Sequence, residues 1–319
     1  MYQLVSESLQ LSLHRPGDGF YEGTRFDRGG VFASLLFRGV EMAGPWFSAY
    51  APTMHDAVQG PAEEFSAIGF DEAAPGETFL KIGVGLLRRP DDAPYDRFRL
   101  YEIVDPGRWE IVSAADRISF RHVLEGWYDY EKEIVLTGDS SFEIRHALQG
   151  LVPLEGEVYN HNFFTFGKMD VGPSRQMDFP FRPEGDWRAV YDSVGFTGSG
   201  IRFSRPLAEG ESVYTGNLHA AGRDGMPYDL TIRDTAADLS SRACRGICVH
   251  ITGDVPVTHT VLWANHRIAC LEPYNAFRTE PTPSFHGSSS AGGSTLSFHG
   301  LSVESPCRWT VRYAFSVNR

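Results

Sequence analysis

Cysteine is scarce. Cys244, Cys248, Cys270 and Cys307 are the four thiols of a 319-residue chain, too few to staple a fold of this size. Cys244 and Cys248 lack the two-residue gap of a zinc or redox pair, so the thiols read as idle groups in a reducing, cytoplasmic compartment. Basic charge is also short. The 29 Lys and Arg face 41 Asp and Glu, leaving a net charge of −12, which disfavours nucleic acid and anionic membranes as partners. No apolar run approaches the ~18 residues of a transmembrane helix. The segment 1–16 has neither the basic start nor the apolar stretch of a signal peptide. No Gly-x-Ser-x-Gly elbow, nucleophile triad, metal-ligand spacing or internal repeat is found. Long helical periodicity is missing too; Ala57 to Phe65 and Thr235 to Ala243 are each expected to hold a short helix at most.

Short alternating runs are abundant, punctuated by 33 Gly and 19 Pro. Trp309, Val311, Tyr313, Phe315 and Val317 share one face of a strand, with Thr310, Arg312, Ala314 and Ser316 on the other. Phe142, Ile144, His146 and Leu148 repeat the pattern, as do Ile118 with Phe120 and the run from Val255 to Trp263. Many short strands at close spacing imply a sandwich or barrel. Such architectures run past about 200 residues as one unit, so 1–319 is expected to form a single domain. The glycine- and serine-rich stretch 287–294 reads as a flexible surface loop.

Five segments hold chemistry-bearing residues. In Glu157 to Gly167, Tyr159, His161 and Phe163 share a face, and Asn160 and Asn162 flank the histidine. An imidazole titrates near neutrality and serves as general acid or base, and the aromatics offer a stacking wall for a sugar. In His266 to Phe277, Ile268, Cys270 and Glu272 share a face. A carboxylate there loses solvation, which pushes it toward a useful base, and Pro273 then ends regular pairing. Gly76 to Leu87 reads as one strand with Leu80, Ile82, Val84 and Leu86 on one side. Gly83 and Gly85 would leave a shallow floor on the other side, with Lys81 as a donor beside it or as a solvated outer lysine. In Gly23 to Gly30, Arg25 is either the partner of Asp27 at a turn or a ligand donor. In Pro52 to Phe65, His55, Glu63 and Glu64 either line a pocket or belong to a plain loop and short helix.

Together these segments resemble the galactose mutarotase-like (aldose 1-epimerase) superfamily, and within it the bacterial aldose epimerase-like branch. Asn160-His161-Asn162-Phe163-Phe164 is similar to its Asn-His-x-Tyr-Phe-Asn motif, and Leu271-Glu272 to its Leu-Glu-x-Gln motif. The resemblance implies an all-β supersandwich of two large, mainly antiparallel sheets with a sugar cleft on one concave sheet. It further implies an isomerase that interconverts the anomers of a free sugar by ring opening, with His161 as acid and Glu272 as base. Arg25, His55, Glu64, Lys81, Asn160 and Tyr274 are then expected to bind substrate, with no cofactor or metal required. The partner is a small-molecule carbohydrate, and the chain a monomer or homodimer. The sequence departs from the family where Pro273-Tyr274-Asn275-Ala276 replaces the glutamine and Pro-Asp after the base. Lys81 stands where a substrate-binding histidine is expected. Two other classes fit a sandwich cleft: a carbohydrate-binding protein without turnover, and a glycoside hydrolase or lyase with Tyr159 or Tyr274 as base.

Overall fold

The structure, a computed structural model, describes residues 1–168, 170–220, 225–238, 245–279 and 306–317, and no helix occurs among them. The alternation along the last strand, Cys307–Val317, becomes burial: Trp309, Val311, Tyr313 and Phe315 are buried, while Arg308, Arg312 and Ser316 are exposed. Each such side chain contributes about 1.5–3 kcal/mol when taken from water. The strand lies between Arg245–Gly253 and Ser141–Gly150, inside a ten-stranded antiparallel sheet.

Facing it is a six-stranded antiparallel sheet. Its order is Pro183–Trp187, Ser212–Ala220, His259–Asn265, Ala269–Thr279, Leu154–Phe163, Gly60–Phe65. Phe65, Val158, Leu262, Leu271 and Phe277 point from it into the core shared with the ten-stranded sheet. A four-stranded sheet (Tyr2–Val5, Leu9–Leu13, Phe32–Phe37, Val40–Glu41) and a three-stranded one (Thr78–Lys81, Gly85–Arg88, Ile103–Asp105) complete the sandwich. The expected pair of large antiparallel sheets is present.

A polar layer also joins the large sheets. Lys132 Nζ donates to Asp27 Oδ2 at 3.2 Å and to Glu63 Oε2 at 2.5 Å, and Tyr130 Oη donates to Asp27 Oδ2 at 3.2 Å. Tyr313 Oη reaches Asn160 Oδ1 at 2.5 Å and Asn162 Oδ1 at 3.1 Å. Buried polar groups are tolerable when each finds its partners, as these do.

Four local expectations are corrected. Pro273 does not end the pairing; the strand Ala269–Thr279 runs through it, with Pro273 opposite Thr260. Residues 57–65 hold no helix; Gly60–Phe65 is a strand buried at every position. It therefore shows no period-two signal. Of 235–243, the described part, 235–238, continues the strand Asp229–Asp238, and the rest lies outside the described residues. Gly76 to Leu87 is a hairpin rather than one strand, turning at 82–84, with Gly83 at φ 74° and Gly85 at φ 134°. Both values suit glycine, and a Cβ on Gly83 would strike the Asp27 carboxylate. The glycines thus make a turn instead of a ligand floor. The stretch 287–294 lies outside the described residues.

Candidate functional site

Two strands of the six-stranded sheet build the site. Leu154–Phe163 pairs with Ala269–Thr279 in one register from Leu154↔Thr279 through Tyr159↔Tyr274, and the bridge Phe164↔Ala269 keeps it. In that register His161 stands across from Glu272. Both side chains project to the face away from the core, and His161 Nδ1 lies 3.1 Å from Glu272 Oε1. The approach is close but poorly aligned, so Nδ1 has no hydrogen-bond partner.

These two residues lie in a cavity of about 300 Å³, the lower end of the range for small-molecule sites. Trp46, Phe163, Trp263, Tyr214 and Tyr274 supply its aromatic lining, and Arg25, His55 and Arg97 its polar edges. Trp46 stacks on Phe163 with centroids 5.0 Å apart and meets Trp263 edge-on at 5.5 Å. Its indole N–H donates to the Val58 carbonyl at 3.0 Å. Flat apolar faces beside a few fixed polar groups suit a sugar ring, whose C–H face packs while its hydroxyls hydrogen-bond.

Glu64 is the electrostatic centre below the cavity. Its Oε2 accepts from Arg25 Nε at 2.6 Å and lies 3.2 Å from His161 Nε2. Its Oε1 accepts from Tyr159 Oη at 3.0 Å, and Lys81 Nζ and Arg97 Nε each approach to 3.8 Å. Burial alone would push this carboxyl up; Arg25, His161 and Lys81 outweigh it and hold the group far below the usual range. Lys81 is drawn down to about 8 by burial, which Glu64 opposes. Arg25 is likewise buried, but Glu64 and Glu272 outweigh the desolvation and keep it charged.

Of the expected ligand contacts, Arg25, His55 and Tyr274 line the cavity with His161 and Glu272. Asn160, Glu64 and Lys81 do not. Asn160 is one residue out of phase with His161, so it faces the inter-sheet core, accepting from Tyr313 and donating to Glu63 Oε1 at 3.3 Å. Glu64 is fully buried beneath His161, and Lys81, 1% exposed, donates to Tyr95 Oη at 2.9 Å. Arg25 and Asp27 do not pair with each other: the first meets Glu64, the second Lys132. Burial pushes the phenols of Tyr159 and Tyr274 above their ordinary value, which opposes the use of either as a base.

Sequence reasoning passed over Arg97 and Trp46. Arg97 lies two residues from Tyr95 and beside Phe98, and this basic–aromatic interleaving was the available signal. Its guanidinium sits over the Tyr159 ring at 5.1 Å. Cys270 shares the site face, and the ligand atoms of His161, Cys270 and Glu272 lie within 4.8 Å of one another.

Among solved structures, the chain is similar to a candidate aldose 1-epimerase of Escherichia coli K12, with TM-score 0.53 and 11% identity over 99% of both chains. The fold is galactose mutarotase-like. A galactose mutarotase related enzyme from Lactobacillus acidophilus is similar with TM-score 0.51 and 8% identity, over 99% of this chain and 97% of that one. A galactose mutarotase-like protein from Lactobacillus casei gives TM-score 0.50 and 11% identity, over 99% and 100%. No model of a known protein family matches the sequence, and no curated protein matches it. The likeness is thus one of mutarotase-like architecture, carried with little sequence identity.

Proposed function

We propose that this protein is an isomerase of the aldose 1-epimerase type, acting on a free sugar held as its small-molecule partner, with His161 as general acid and Glu272 as general base. The observation that carries the reading is the meeting of an imidazole and a carboxylate, 3.1 Å apart, at an aromatic-lined cavity. His55 and Asp56 also line the cavity, but without the close imidazole–carboxylate contact that His161 and Glu272 make.

The chemistry follows from the two groups. Glu272 takes the proton of the anomeric hydroxyl as the acidic His161 gives its Nδ1 proton to the ring oxygen. The bond from the anomeric carbon to the ring oxygen breaks, and a carbonyl forms at that carbon. Rotation about the adjacent carbon–carbon bond presents the other carbonyl face. The hydroxyl then re-adds, its proton returns to Nδ1, and Glu272 returns its proton to the new anomeric oxygen. Glu64 fixes the ring by its contact with Nε2, leaving Nδ1 to the substrate. Arg25 and Arg97 are placed to donate to sugar hydroxyls. Positioned proton transfer contributes about 10²–10⁴-fold.

The test is polarimetry, or exchange spectroscopy, of anomer interconversion over a panel of free aldoses. Wild type should exceed the spontaneous rate, and His161→Gln and Glu272→Gln should each lose that excess while keeping their fold. A variant at the wild-type rate removes its residue from the mechanism. Sugar binding without acceleration by wild type would leave a carbohydrate-binding protein.

A further inference from the structure

We propose that His161, Cys270 and Glu272 form a zinc-binding site at the cavity, and that bound zinc shuts off the acid–base pair. The binding claim stands apart from the epimerase reading; the claim of inhibition rests on it.

Three observations carry the site. The first is donor type and proximity. A nitrogen, a sulfur and a carboxylate oxygen lie within 4.8 Å of one another. Two ligands about 2.05 Å from zinc at a tetrahedral angle stand roughly 3.3 Å apart, and nitrogen and sulfur roughly 3.6 Å. The 3.1 Å between His161 Nδ1 and Glu272 Oε1 is already near the first value, so closure needs no more than about 1.2 Å from the thiol. The second is that His161 is fully buried, yet its Nδ1 has no hydrogen-bond partner and faces its carboxylate neighbour. A buried ring nitrogen left without a partner is costly, and when its proton is off a cation would answer it. The third is the support behind the ligand. His161 Nε2 lies 3.2 Å from Glu64 Oε2, the carboxylate–histidine arrangement that fixes the metal-binding tautomer and raises the basicity of the ligand.

The donor set selects the metal. One thiolate, one imidazole and one carboxylate suit zinc, whereas calcium and magnesium take oxygen ligands. Charge also balances. Glu272 and the thiolate bring two negative charges for a divalent ion, and the nearby Arg25 is already matched by Glu64. Three protein ligands leave the fourth position for water or a sugar hydroxyl from the cavity. Binding displaces the thiol proton to solvent, so it strengthens as pH rises. The sequence hid the site because its ligands come from two strands far apart in the chain.

The experiment titrates the purified full chain, free of metal, with zinc by calorimetry and with cobalt by absorption. One ion per chain and a near-ultraviolet thiolate-to-cobalt band are expected. Cys270→Ser should lose the band and bind zinc at least about tenfold more weakly, since even outer-shell changes cost 10–100-fold. Cys248→Ser and Cys307→Ser should keep the band. No binding by wild type, a band that survives Cys270→Ser, or one lost in both other variants would each overturn the site. With a sugar that wild type turns over, zinc should stop turnover, a chelator should restore it, and the turnover that Cys270→Ser retains should resist zinc. Binding without inhibition would overturn the shut-off alone. Binding by a chain that turns over no sugar would fault the epimerase reading and leave the zinc site standing.

Discussion

Glu63 and Glu64 are consecutive in the chain, both are buried, and they serve opposite faces of one strand. Glu63 points between the large sheets and meets Lys132, 2.5 Å from its Oε2. Glu64 points toward the cavity and meets Arg25 and His161. Two acids that the sequence leaves to a pocket lining or to a plain loop and short helix are thus anchors of separate networks.

The inner network sets stability. Lys132→Met leaves Asp27 and Glu63 without their cation, and breaking a buried pair costs about 3–5 kcal/mol. Denaturant unfolding should show a loss of that size. Adding Asp27→Asn and Glu63→Gln should return most of it. A single variant within about 1 kcal/mol of wild type would mean that the network carries no net weight.

On the proposed reading, the outer network should set the rate. Glu64→Gln strands Arg25 and Lys81 as buried cations and frees the His161 ring. Both the unfolding midpoint and kcat should fall. Adding Lys81→Met removes one stranded charge, so part of the stability should return while kcat stays low. Recovery of kcat together with stability would show that Glu64 acts on the fold alone.

Acid should unfold this protein from below about pH 6.5. Burial pulls His146 down to about 3 and His122 to about 4, from an ordinary 6.5. Between those values the unfolded chain binds protons that the folded one does not, so stability rises with pH across the window and is lost on acidification. Asp27, pushed up to about 6 by burial, works the other way between 3.8 and 6, but it is one group against two. Glu63 and Glu64, held low by their cations despite burial, extend the loss below 4.5. Each unit of displacement is worth about 1.4 kcal/mol. His146→Gln should flatten the acid limb of a stability–pH curve; an unchanged slope would mean that His146 does not titrate on unfolding.

Arg97 should govern sugar binding more than turnover. It is partly exposed at the cavity edge, and a charged hydrogen bond contributes about 1.5–3 kcal/mol. Arg97→Gln should raise KM roughly tenfold or more with kcat little changed. An unaltered KM would place the guanidinium outside the sugar's reach.

The architecture was legible wherever a strand keeps one face wet. The alternations through Trp309 to Phe315 and Phe142 to Leu148 survive as burial patterns because their outer faces meet solvent. Gly60–Phe65 was illegible because it is covered on both sides, and the period-two signal needs a wet side. The hairpin at Gly83 read as continuous strand because its apolar residues keep alternating through the turn. His161 and Glu272 were singled out through their local motifs, and the strand register sets them side by side. Lys81 and Asn160 do not line the cavity, for two reasons that the sequence does not display. One is buried behind Glu64; the other faces the core because neighbouring residues on a strand point to opposite sides.

The shared register of Leu154–Phe163 and Ala269–Thr279 makes the candidate acid and base a product of counting. Lengthening either strand by one residue between Tyr159↔Tyr274 and Phe164↔Ala269 would bring Asn160 or Pro273 to the reactive position, with neither original side chain mutated. The polypeptide joining the two strands carries further paired strands, among them Ser212–Ala220 and His259–Asn265, and only the turns between them are under no such arithmetic. Insertions should therefore be absorbed in those turns, while a single-residue indel inside the ladder should abolish the proposed chemistry.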